Sequence, residues 1–132
     1  MSLNQSSLVT AARDLLERAD PMTAGIWPRA TALLARQALE GALDDLWRLR
    51  APGLEQCSAR AQLLCLPFYL RDEELAEGVC YAWAGLSRAC HQHPYELSPT
   101  FSELLGWLAT VERLVARVRS MHGAKPAPAG ER

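Results

Sequence analysis

The residues best suited to chemistry in this 132-residue chain lie in one short stretch, Ser87-Arg88-Ala89-Cys90-His91-Gln92-His93-Pro94-Tyr95-Glu96-Leu97, which gathers an arginine, two histidines and a tyrosine. A guanidinium can hold phosphate oxygens in bidentate fashion and an imidazole moves protons near neutral pH. Together they suit cleavage of an RNA phosphodiester without a metal. On an ideal helix Arg88 and His93, five residues apart, diverge by about 140°. His93 precedes Pro94, however, and that position is pushed towards extended backbone, which lets the imidazole swing towards Arg88. His91, three residues from Arg88, lies on a neighbouring face already. The plainer reading of the same residues is electrostatic, because basic side chains at a helix C-terminus offset its dipole and bond its orphan carbonyls.

Weaker candidates surround this stretch. Cys90 and His93 share a helix face at i and i+3, yet no CxxC or HxxxH pair supplies further ligands, so no metal and no cofactor is expected. A Cys90 nucleophile is conceivable, but Cys90 continues an apolar stripe and reads better as a packed thiol. Arg113 and Arg117 share one face of the last helix and could contact an RNA backbone; a solvated face is the ordinary alternative.

Helices must position these groups. The chain has 22 Leu and 21 Ala against one Ile and five Val, a strong lean towards helix formers and away from strand formers. Periodicity predicts helix one from about Asn4 to Ala19, and helix two from Pro28 to near Arg50, closed by Pro52-Gly53. Ser58 is expected to cap a short third helix whose length Pro67 limits. Asp72 caps the fourth, with Leu75, Val79, Ala82, Trp83, Leu86 and Cys90 as its buried face and its end near His93. Thr100 and Glu103 are spaced as a capping box for the fifth, whose stripe is Phe101, Leu104, Leu105, Leu108, Val111, Val115 and Val118. Trp107 and Leu114 form a second, narrower apolar line, read as surface for a homodimer.

The expected fold is therefore all-α, an up-and-down bundle of about five helices forming one domain over residues 1–122, with 123–132 as a disordered tail too poor in apolar side chains to dock. The sequence shows no membrane span and no secretory leader, which places the chain in the cytoplasm, where Cys57, Cys65, Cys80 and Cys90 are expected to be reduced and mostly buried. A net charge of -1 removes the broad cationic field of non-specific nucleic-acid binders, so an RNA role must rest on a local cluster and no DNA partner is expected.

RACHQH, with Arg88-x4-His93 late in the penultimate helix, resembles the Arg-x4-6-His motif of the HEPN superfamily. ARQALEGALDDLW, residues 35–47, is similar to the early Ala-Leu-Glu-rich helix of small bacterial HEPN domains, and HPYELSPTFSELLGWLATVERL to their post-motif turn and last helix. The resemblance implies a helical dimer whose two motifs face one cleft, acting as a metal-independent endoribonuclease of the toxin, defence or stress-effector kind. It makes Arg88 and His93 the catalytic pair, with His91 and Tyr95 as binding residues beside them, and an antitoxin or nucleotidyltransferase as partner. The residue after the motif arginine, commonly polar in active members, is Ala89 here. That departure favours a second expectation, a non-catalytic HEPN dimer that binds RNA, a nucleotide or a protein partner. A third, purely structural reading makes the cluster a capped helix end and gives function to the Trp107 and Leu114 surface.

Overall fold

The computed structural model describes residues 4–18, 27–91 and 98–123. Within them the chain is an all-α bundle: α1 (Gln5–Glu17), α2 (Trp27–Arg50), α3 (Ala59–Leu70), α4 (Glu73–Cys90) and α5 (Phe101–Gly123), with one 3-10 turn at Leu54–Gln56. Among the described residues there is no strand, and no helix is long and apolar enough to cross a membrane. Residues 124–132, most of the expected tail, lie outside the described residues.

Side-chain caps place the helix starts where the sequence predicts them. Asn4 accepts from the Ser6 N–H, Ser58 from Ala61 and Asp72 from Leu75, each satisfying a donor the first turn leaves free. The Thr100 and Glu103 capping box is formed in both directions, at 2.9 and 3.1 Å. Beyond Arg50, Gly53 adopts φ 104°, a left-handed conformation open to glycine, and the chain turns into α3.

Pro67 does not limit α3, which runs on to Leu70. The proline leaves the Leu63 carbonyl without its helical N–H donor, and the Cys80 thiol of α4 lies 4.0 Å from that oxygen. Burial first, and then Glu77, pushes the Cys80 pKa up, so the thiol keeps the proton it donates. The four cysteines are free, but only Cys90 is buried; Cys65 and Cys80 are half-buried and Cys57 is exposed, a correction to the expectation of mostly buried thiols.

Four long helices enclose the core, with α2 and α5 each packed against both α1 and α4 as well as against each other. Trp27 meets Phe101 edge-on at one end and Ala42 and Asp45 share a cavity with Val118 and His122 at the other, so α2 and α5 run parallel. Arg13 of α1 pairs with Glu112 through its Nε at 2.8 Å and through a second guanidinium nitrogen, tying α1 antiparallel to α5. The short α3 closes the end where α2 and α5 finish. Trp47, fully buried, donates its indole N–H to Gln62 at 2.9 Å, and Gln62 in turn donates to the Cys57 carbonyl at 2.9 Å.

The buried face of α5 is Leu104, Trp107, Leu108, Val111, Leu114, Val118 and Met121, whereas Phe101 is 45% and Leu105 37% exposed. Trp107 and Leu114 thus belong to the core, which overturns their reading as a dimer surface and, with it, the function that the third reading gave to that surface. Trp107 fits because Gly85 of α4 lies beneath its indole; a Cβ on Gly85 would fall inside the van der Waals envelope of the ring. In thermal unfolding Gly85→Ala should cost about 1 to 3 kcal/mol through this overlap. The exposed helical glycine Gly106, with nothing near its Cβ position, should gain up to about 1 kcal/mol as alanine through helix propensity alone. Equal behaviour of the two variants would show that the ring is not seated on Gly85.

Candidate functional site

The last turns of α4 carry the motif arginine. Along this helix Glu77, Tyr81, Ala84 and Arg88 recur at four- and three-residue steps and all are exposed, forming an outward stripe opposite the buried Val79, Ala82, Leu86 and Cys90. Trp83, expected in the buried face, is only half-buried at the seam with α2. Arg88 has no ion-pair partner among the described residues. Ala89 is 5% exposed and belongs to the core cluster, so alanine at this position follows from packing against the bundle.

The helix ends at Cys90, earlier than the expected end near His93, and His91 is its C-cap, its N–H shared between the Ser87 and Arg88 carbonyls at 3.2 Å each. The His91 ring reaches across to α2, where Nε2 lies 3.3 Å from a terminal nitrogen of Arg36. A guanidinium can only donate, so this contact is a hydrogen bond in the tautomer that leaves Nε2 free to accept. Arg36 is itself fixed from two further sides. Its guanidinium stacks 4.9 Å above the Trp83 ring, and its Nε lies 3.6 Å from Glu40 one turn on. Two polar atoms in this region, Arg36 Nε and Ser87 Oγ, are buried without a hydrogen-bond partner among the described residues.

Arg88, His91 and Arg36 therefore occupy one end of the bundle. Arg36 carried no signal in the sequence, since 55 positions separate it from His91 and no local pattern joins them. His93 and Tyr95 lie outside the described residues. Arg113 and Arg117 are not brought to this end. Arg113 is exposed on α5, while Arg117 donates to the Leu70 carbonyl at 3.2 Å, next to the start of α4. Arg88 lies fifteen residues beyond Glu73 on α4, or about 22 Å along its axis. Among the described residues no group of three His, Cys, Asp or Glu is placed to hold a metal ion.

Compared with family models, with curated proteins and with solved structures, the chain matches none.

Below Trp83 the seam opens into a cavity of about 310 Å³ lined by Glu40, Asp44, Glu55, Cys57 and Gln62. Burial raises the Asp44 pKa; Arg48 opposes this, and Glu55 and Asp45 reinforce it. A carboxyl whose folded pKa is raised binds its proton more tightly when folded, so its ionised form opposes folding at pH 7, and that penalty disappears as pH falls through the raised value into the ordinary carboxylate range. Asp44→Asn should accordingly raise Tm at pH 7 and bring little change at pH 4. A variant equally or less stable at pH 7 would show that Asp44 ionises there without cost.

Proposed function

We propose that the chain is a HEPN-like, metal-independent endoribonuclease that acts as a dimer, with Arg88 and His93 as its catalytic pair. One observation supports this reading above the others: Arg88 stands unpaired on the open face of α4, one turn from His91, which Arg36 holds in place. Three nitrogen-rich side chains from two helices thus lie at one end of a chain whose net charge is only -1. In this reading the 2'-hydroxyl attacks the adjacent phosphorus, His93 takes its proton or protonates the leaving oxygen, and Arg88 neutralises the charge that grows on the phosphate. His91 and Tyr95 help to bind the strand. Arg36 orients the His91 ring.

The dimer is supported by the outward stripe of α4, where Tyr81, 73% exposed, stands two turns before Arg88. A second copy on this stripe covers the tyrosine and sets two Arg88 side chains in one cleft. A cytoplasmic toxin, defence or stress role, with an antitoxin or nucleotidyltransferase partner, belongs to the same proposal by resemblance. Light scattering should give twice the 14.6 kDa chain mass at tens of micromolar protein, and Tyr81→Lys should shift it to the monomer with its helical circular dichroism intact. A wild-type monomer under those conditions ends the dimer proposal.

Cleavage is tested with EDTA present on single-stranded RNA, where the product should carry a 2',3'-cyclic phosphate. Arg88→Ala and His93→Ala should each lower the rate by about 10² to 10⁴ without loss of helicity. Full activity in both variants, or a requirement for divalent metal, would refute the assignment. The non-catalytic alternative, a dimer that binds RNA, a nucleotide or a protein partner, is favoured by Ala89, which follows the motif arginine where active members commonly carry a polar residue. Arg88-dependent RNA retention with no cutting would decide for it.

A further inference from the structure

The opposite end of the bundle holds a second concentration of positive charge. A cavity of about 400 Å³ between α3 and the last turns of α2 and α5 is lined by Arg50, Arg71 and Arg117, with Phe68 and Tyr69 beside them and Ser120 opposite. None of its lining residues is acidic, and none of the three arginines forms an ion pair among the described residues. The C-termini of α2, α3 and α5 account for part of this charge. Each contributes roughly half a negative charge, about one and a half in all, against three guanidinium groups.

Two details argue that the surplus has a use. Arg71 caps α3 with φ 57°, the only non-glycine residue with positive φ among those described. Glycine ordinarily fills that position, and a side chain there carries a conformational cost, which here places a guanidinium at the mouth of the cavity. Arg117 gives one terminal nitrogen to the Leu70 carbonyl, and its buried Nε has no partner among the described residues. At the rim Phe68 is 77% exposed, although Tyr69 supports it edge-on at 5.0 Å. An aromatic ring held in water beside three guanidiniums that lack an ion-pair partner among the described residues offers both a stacking face and an anion clamp.

We propose that this cavity binds a phosphate monoester carrying a flat ring, with the phosphate on Arg50, Arg71 and Arg117 and the ring against Phe68. Its volume falls within the range of small-molecule sites. The proposal is independent of the reading of Arg88 at the other end of α4.

Calorimetric titration of the full chain with phenyl phosphate at low ionic strength tests it. Saturation is expected with a Kd of about 1 mM or tighter, inorganic phosphate should bind several-fold more weakly, and phenol should not bind. Arg71→Gly, which suits the left-handed backbone, should weaken phenyl phosphate about tenfold while Tm holds or rises. Phe68→Ala should reduce phenyl phosphate to the level of inorganic phosphate and leave inorganic phosphate itself unchanged. The binding that Arg71→Gly and Phe68→Ala weaken should persist in Arg88→Ala. The proposal fails if phenyl phosphate does not saturate, if phenol matches it, if Arg71→Gly binds as tightly as the parent chain, or if Arg88→Ala abolishes binding.

Discussion

The seating of the Trp107 indole on Gly85 is the contact on which the placement of the α4 terminus depends. No residue larger than glycine leaves room for the ring, so the two helices approach at this level as closely as a bare backbone allows. Arg88 follows three residues later and His91 one turn after that. A helix fixed by a ring against its backbone cannot roll without unseating the ring, and so the direction in which Arg88 points is set by a core contact. Arg36 then fixes His91, the C-cap of the same helix, from the α2 side, with Trp83 beneath its guanidinium. Packing decides the orientation, and the charged groups inherit it.

The cores of α1 and α2 show the same economy of volume. Ala32, Ala35, Ala38 and Ala42 are all buried on α2, and Ala12 is buried on α1, where small side chains let the axes approach closely. Trp47, the largest fully buried side chain, has its polar end satisfied, since its N–H finds Gln62 in the interior. That hydrogen bond also holds α3 to α2. Without α3 the ends of α2 and α5 would lose the cover that Leu66 and Leu70 supply, since both side chains are fully buried.

Local signals were legible in the sequence because their physics is local. Asp72 and the Thr100 and Glu103 pair cap helices by reaching two or three residues along their own chain, and the spacing alone reveals them. Pro67 misled because the cost of a proline depends on whether its orphaned carbonyl finds a partner, and Cys80, thirteen residues away and on another helix, supplies one. Trp107 and Leu114 misled for a related reason. Their spacing continues the Leu104 and Leu108 face, but only the glycine on α4 makes space for a ring there, and Gly85 looks in the sequence like any other small residue. Within the candidate site Arg88 and His91 are legible as neighbours on one helix. Arg36 is not, because nothing in its own surroundings distinguishes it from a solvated arginine.

A net charge of -1 hides how unevenly charge is distributed. The acidic side chains Glu40, Asp44 and Glu55 border the cavity beneath Trp83, while Arg50, Arg71 and Arg117 gather at the far end and Arg36 and Arg88 at the near one. Positive groups separated by about 22 Å and divided by a strip of carboxylates are screened from one another at physiological salt, where interactions fade beyond roughly 8 Å. An anion at one end therefore does little through space to an anion at the other. Any coupling between them would pass through α4 itself, whose first turn follows Arg71 and whose last turn carries Arg88, and a helix pinned by Trp107 at Gly85 is stiff enough to keep the two ends in fixed register.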